Sequence, residues 1–356
     1  MAHALESWGW SDHWDALFLH AHAAGPGQPA RVTSQHRDRW ILQTADGSRD
    51  ARLTGSAWSG PLPSTGDWVV AEPGPFVPDP WSIIAVLPRQ SAVSRASAGD
   101  GHREQVLAAN VHRLLIVHGL DAKPNLRSLE RYLAVGWESG ASPEVVLTKS
   151  DLAADLDEAV AAVDRIAIGV PVWVVSTADA EAVGQLRASL EYGSTVALAG
   201  PSGAGKSTLI NLLAEAEVAR TGEVRVGDGK GRHTTTSRQL IRIHNGALLL
   251  DTPGLRELRV LSLDEGLERT FADIAVLAEG CRFRDCSHTA EPGCEVLRAA
   301  EHGELPAERL ESYRKLEAEA AYERRKADPR AMAEEVADFK TAMKTLKYHP
   351  KHRHRG

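Results

Sequence analysis

Residues Val196–Thr208, VALAGPSGAGKST, pass from an apolar strand through a glycine-rich turn into the helical segment STLINLLAEA. Gly200 to Ser207 satisfy the pattern G-x-x-x-x-G-K-[ST], with the strand before and the helix after that give it meaning as a phosphate loop. Gly203 and Gly205 permit the tight backbone path, so that the run Gly200, Pro201, Ser202, Gly203, Ala204 and Gly205 wraps around phosphate at a helix N-terminus, with the N–H groups of every residue but the proline available to it. Lys206 brings a point charge to the outer phosphates, Ser207 is placed to bind Mg2+, and Thr208 belongs to the same nucleotide-binding run.

Downstream, LLLDTPG sets Asp251 at the end of an apolar strand, where its carboxylate reaches Mg2+ through water, and Gly254, whose N–H meets a γ-phosphate. D-x-x-G is weak alone and informative after a phosphate loop. Between the two, GRHTTT carries Thr234, Thr235 and Thr236, of which Thr235 is expected to close on Mg2+ when a γ-phosphate is present. A plain Ser/Thr-rich loop is the simpler account of that stretch taken by itself.

Upstream, VLTKSD (Val146–Asp151) ends another apolar strand. The Asp151 carboxylate can accept from both N1–H and the exocyclic amine of guanine, which adenine does not offer, while the Lys149 stem lies against the base. Thr148 and Ser150 complete that motif, and Ser176 with Thr177 in VVST stands where a supporting element belongs. A strand end capped by Asp151 would explain TKSD in isolation, but four such elements in one domain disfavour chance. Their order is unusual, because the base motif precedes the phosphate loop. Sheet neighbours matter more than chain order, and a chain can be cut and rejoined at exposed connections. The reading is therefore a circularly permuted GTPase domain.

Around it, 356 residues with 43% apolar content suffice for several cores. RWILQTADGSRDARL, with Asp46-Gly47 as a hairpin turn, then GDWVVAE and WSIIAVLP, read as a small β-barrel. From about Val111, strands alternate with helical segments, as in a parallel helix-covered sheet. The role of the tryptophan-rich start (Trp8, Trp10, Trp14) is not legible. It lacks the basic and apolar pattern of a secretion signal, and no apolar run is long enough to span a membrane, so a cytoplasmic monomer without membrane partners is expected. Net charge is −7, yet Phe339–Gly356 holds six Lys/Arg and no acids. Such a tail suits an RNA or other anionic contact, or else a solvated end.

All three cysteines fall in CRFRDCSHTAEPGC. Cys281, Cys286, His288 and Cys294 make the ligand count of one closed, structural Zn2+ site per chain. None is left for a disulfide, as suits a reducing compartment.

From GDWVV through EQVLAANVHRLLIV, the permuted motifs and the Cys/His cluster, the chain resembles the ribosome small-subunit-dependent GTPase A family. The resemblance implies a multidomain α/β protein. Its parts are an OB-like barrel (31–98), a circularly permuted P-loop GTPase domain (99–262) and a helical zinc-binding domain with a basic tail (263–356), preceded in this chain by an N-terminal extension (1–30). It further implies a late assembly factor that binds the small ribosomal subunit and its rRNA, is stimulated by it, and couples conversion of GTP to GDP with release. Two departures stand out: Thr148 replaces a frequent Asn, and the tryptophan-rich extension is outside the resemblance. Leu255 follows Gly254, so no Gln is there to orient water. The resemblance points to His233 for that task, with Thr235 and Lys206 beside it, a surface histidine being the plainer alternative. A kinase or ATPase, or an RNA-binding protein whose hydrolysis is incidental, are the competing classes.

Overall fold

In the computed structural model, residues 2–21, 27–36, 38–53, 58, 60–76, 79–96, 104–219, 238–251 and 263–327 are described. The first strands are β1 (Gln28–His36), β2 (Arg39–Thr44), β3 (Gly47–Leu53), β4 (Trp68–Glu72) and β5 (Trp81–Val86). Antiparallel pairs β1–β2, β2–β3, β4–β5 and β1–β4, with parallel β3–β5, close them into a five-stranded barrel. The β2–β3 turn is Ala45-Asp46, one residue earlier than the expected Asp46-Gly47, because Gly47, at φ 110°, already pairs with Thr44 as the first residue of β3. Alternation sends Val32, Leu42, Val69 and Ile83 into the barrel core.

The tryptophan-rich start acquires a structural role. A 3-10 helix (Ala2–Trp8) leads into α1 (Asp12–Ala21), and together they lay Leu5, Trp10 and Trp14 against Trp68, Val70 and Leu87 of the barrel. Trp10 meets Trp68 edge-on at 4.7 Å between centroids. The same segment reaches the next domain. Arg31 of β1, fully buried, donates to the Trp8 carbonyl at 3.0 Å and to Thr195 Oγ1 at 2.9 Å, with its guanidinium 4.7 Å from the Trp68 ring centroid. Burial lowers the Arg31 pKa to about 9.

Next, β6 (Ala92–Ala96) pairs antiparallel with β7 (Glu104–Ala109), so strands from either side of the boundary that the sequence reading sets at 98/99 belong to one ladder. There follow β8 (Arg113–Gly119), α2 (Leu126–Glu138), β9 (Ser142–Thr148), α3 (Leu156–Asp164), β10 (Val172–Val174), α4 (Ala180–Ala188), β11 (Thr195–Ala199), α5 (Lys206–Ala214), β12 (Arg238–Arg242) and β13 (Leu248–Asp251). Asn125, Asp155 and Asp179 cap α2, α3 and α4 with side-chain oxygens, as short polar residues do at helix starts.

The sheet order is β10-β9-β8-β11-β13-β12. All pairs are parallel except β12–β13, a hairpin turning at Asn245-Gly246. Among these six strands, β8 to β10, which precede β11 in the chain, lie on one side of it, and β12 and β13, which follow, lie on the other. Starting the chain at β11 and appending β8 to β10 at its end would leave this sheet intact, which is what permutation requires. β12 also pairs with β1, Ser34 opposite Gln239 and Gln35 opposite Arg238, so barrel and GTPase sheet are continuous.

Helices α6 (Asp264–Thr270), α7 (Ala272–Ala278), α8 (Glu295–Glu301) and α9 (Ala307–Ala327) form the C-terminal part. Of these, α6 and α9 pack on α2, which is buried at every position from Leu129 to Gly136 except Arg131. A Cβ on Gly266 would stand 2.1 Å from the Ala134 carbonyl oxygen, so only glycine permits that approach of α6.

Candidate nucleotide site and metal centre

Parallel pairing places the ends of β8, β9 and β11 side by side, with Gly119 opposite Thr148. The phosphate loop leaves β11 at Gly200, φ 135°, where a Cβ would lie 2.1 Å from the Val117 carbonyl oxygen. Gly203 and Gly205 also take positive φ, 80° and 88°, and Gly205 caps α5. Lys206 Nζ donates to the Gly200 and Pro201 carbonyls at 2.8 and 2.6 Å. Ser202 and Gly203 are exposed at the loop's crest, while Ser207 and Thr208 occupy the first turn of α5, half-buried.

Thr148 is the hinge between the two motifs. Its Oγ1 donates to the Ala204 carbonyl at 2.6 Å and lies 3.3 Å from that of His118. The hydroxyl that replaces a longer amide thus fastens the β9 end to the phosphate loop. Next to it, Lys149 has φ 56° and its Nζ lies 2.7 Å from Asp121 Oδ2. Ser150 and Asp151 lie on a single 3-10 turn, Asp151 with its carboxylate exposed. Ser176 is buried and its Oγ accepts from the Ala178 N–H at 2.9 Å, which holds the VVST turn.

Thr148, Lys149, Asp151, Leu152, Ser176 and Thr208 are among the residues that line one cavity of about 210 Å³. A wider groove of about 720 Å³ lies on the loop's other side, between Pro201–Ala204 and the turn after β8. His118 lines it; the imidazole is buried, which lowers its pKa, and Nε2 accepts from the Asn125 N–H at 3.3 Å. The sequence-predicted base and supporting motifs are therefore brought together around the first cavity with Gly205 and Thr208 of the phosphate motif, while Pro201–Ala204 line the groove beside it. Asp251 closes β13 opposite Gln239. His233, Thr234, Thr235, Thr236, Gly254 and Leu255 lie outside the described residues.

Sequence reasoning missed Gly119, His118 and Asp121 in VHGLDAKP. The available signal was positional: a polar turn after a strand that neighbours both motif-bearing strands.

Some distance along the chain, the three cysteines are free thiols. The ligand atoms of Cys281, Cys286, His288 and Cys294 all lie within 4.8 Å of one another. Cys281 Sγ is 3.8 Å from Cys294 Sγ and 3.7 Å from His288 Nδ1, and His288 Nδ1 is 3.4 Å from Cys294 Sγ. Bonds of about 2.3 Å to sulfur and 2.0–2.1 Å to nitrogen in a tetrahedron imply edges of about 3.6–3.8 Å, so Cys281, His288 and Cys294 are spaced as three ligands of one metal ion, with Cys286 as the fourth member of the cluster. His288 reaches it from φ 55°, and Arg314 donates to the His288 carbonyl.

A phosphate loop on β11, fastened to a base-reading turn that comes earlier in the chain, defines the class: a circularly permuted GTPase. A family model described as RsgA GTPase matches residues 86–261. The chain is 44% identical over 338 residues to a protein of Opitutus terrae named small ribosomal subunit biogenesis GTPase RsgA, covering 91% of this chain and 92% of that one. To the protein of the same name from Streptomyces coelicolor it is 43% identical over 342 residues, covering 95% and 92%. Among solved structures, YjeQ from Thermotoga maritima superposes with a TM-score of 0.62 at 24% identity, over 83% of this chain and 99% of that one. YloQ, titled a circularly permuted GTPase, gives 0.59 at 22%, over 84% and 97%. The chain belongs to the RsgA GTPase family and is a GTP-hydrolysing enzyme. A second model, ABC transporter, matches residues 183–344. That span contains the phosphate loop, which both classes need, and leaves out Thr148–Asp151; no helix among the described residues is long and apolar enough to cross a membrane.

Proposed function

We propose that this enzyme acts as a late-stage assembly factor of the small ribosomal subunit. The subunit stimulates GTP hydrolysis, and hydrolysis is coupled to release. One observation carries the nucleotide part: the Thr148 hydroxyl joins the base motif to the phosphate loop at 2.6 Å, with Asp151 and Ser176 facing the same cavity. The names of the relatives support the ribosomal part.

In this reading Asp151 selects guanine, with Thr148, Lys149, Ser150 and Ser176 shaping the base site. Gly200 to Thr208 hold the phosphates, Lys206 neutralises charge on them, and Ser207, Thr235 and, through water, Asp251 hold Mg2+. Gly254 meets the γ-phosphate. The ion would neutralise charge as the bond to the β–γ bridging oxygen breaks and water attacks the γ-phosphorus. Leu255 cannot orient that water, so we assign the task to His233 in the complex with the subunit.

The Cys281, Cys286, His288, Cys294 set holds one structural Zn2+, since thiolates with imidazole suit that ion and four ligands close its shell. The chain works as a cytoplasmic monomer in four parts (1–30, 31–98, 99–262, 263–356), with rRNA the partner of the basic tail.

GTP turnover with and without purified small subunits tests the function. We expect slow basal turnover, marked stimulation, and a fall of about 10²-fold in stimulated kcat for His233→Ala with GTP binding nearly intact. Turnover indifferent to the subunit would reject the assembly role. Metal analysis should give one zinc per chain and lose it in a Cys286→Ser, Cys294→Ser double variant; unchanged zinc would reject the ligand set.

A further inference from the structure

Lys149 is held in an uncommon state. It takes φ 56°, a left-handed conformation that disfavours residues with a Cβ, and its long side chain ends at a defined partner, Asp121 Oδ2, 2.7 Å from Nζ. Parallel pairing of Gly119 with Thr148 sends the turn after β8 and the base motif out of the sheet together, so Asp121 comes beside Lys149 although they are 28 residues apart. Gly119 clears the lane. A Cβ there would stand 2.7 Å from Asp121 Oδ1, 3.4 Å from Lys149 Cδ and 3.5 Å from its Cε. The Lys149 hydrogen bond in turn holds the Asp121 carboxyl below its ordinary pKa.

We propose that Asp121 is a positioning residue for base recognition: it anchors the Lys149 ammonium so that the four-carbon stem is laid along one face of the base cavity before nucleotide arrives. The proposal rests on the reading of Thr148–Asp151 as the guanine motif. A free lysine stem has many rotamers, and binding must order it. Anchoring removes part of that cost. Asp121 acts through Lys149 on the flat face of the purine, whereas Asp151 acts on its edge, so the two carboxylates have separable signatures. Both members of the pair are partly exposed, 31% for Lys149 and 50% for Asp121, which bounds the effect to that of a surface ion pair.

The test is a double-mutant cycle on the full chain, read by equilibrium titration with fluorescent GTP and with inosine triphosphate, which keeps the purine face and lacks the amine. Asp121→Ala should weaken GTP and inosine triphosphate alike by about three- to fivefold, with kcat at saturating GTP unchanged. Lys149→Met, which keeps the stem without its ammonium, should weaken both to the same degree, and adding Asp121→Ala to it should do nothing more. Asp121→Asn, nearly isosteric, guards against a folding defect and should follow Asp121→Ala. Unchanged affinity in the single variants, or a full further loss in the Lys149→Met background, would overturn the role of Asp121. Wild-type protein that binds no guanine nucleotide would overturn the guanine reading and the proposal with it.

Discussion

At the residue scale, chemistry that a side chain carries by itself was legible, and chemistry that depends on a spatial neighbour was not. Lys206, Ser207 and Asp151 could be singled out because their motifs specify both spacing and residue type. The contribution of Thr148 could not. Read along the chain, it is a shortened amide; in space its hydroxyl donates to the Ala204 carbonyl, 56 residues away. Thr148→Val keeps the shape and leaves that buried acceptor unpaired, at a cost of about 1–3 kcal/mol. GTP affinity should therefore fall about tenfold, as measured by titration, while Thr148→Ser should stay near wild type. Equal affinity in the valine variant would remove the hydroxyl bridge from the account.

At the element scale, α2 shows where periodicity stops informing. LRSLERYLAVGWES reads as a helix from its spacing, but nothing in it announces burial on two sides. The reason is Glu130, which the sequence presents as a surface charge. Its carboxylate accepts from Arg309 Nη1 at 2.7 Å and from Ser312, and Arg309 also pairs with Asp273 at 2.9 Å. Removing one partner of so buried a pair strands a charge. Arg309→Met should destabilise the C-terminal helices by about 3–5 kcal/mol, and the Glu130→Gln, Arg309→Met pair should recover part of it. Chemical denaturation followed by the local tryptophan, Trp137, reads the difference. The opening tryptophans follow the same logic, since Trp10 and Trp14 became intelligible only once Trp68 was seen beneath them. Trp10→Ala should cost the barrel about 3–5 kcal/mol.

At the scale of the whole molecule, domain order and the permutation were legible because motif order survives in sequence, whereas the joints were not. The β1–β12 ladder involves two residue pairs and is a matter of backbone, to which side-chain pattern is nearly blind. Its consequence is that the barrel is hydrogen-bonded to the strand that follows the threonine stretch Thr234–Thr236. Charge distribution also belongs to this scale. Truncation after Met343 removes five of the tail's six Lys/Arg, so affinity for the small subunit should weaken and its salt dependence flatten. Equal affinity and slope would make the tail a solvated end. The central claim is that a chain read out of the usual order still builds one guanine-selective site. Competitive titration of guanosine, adenosine and xanthosine triphosphates against the wild-type chain and Asp151→Asn tests it most directly. The account predicts that GTP displaces the probe at least 100-fold better than ATP in the wild type. In Asp151→Asn, which trades a carboxylate acceptor for an amide donor, xanthosine triphosphate should become the preferred ligand. ATP and GTP competing equally, or a variant that keeps its GTP affinity and gains none for xanthosine triphosphate, would contradict it.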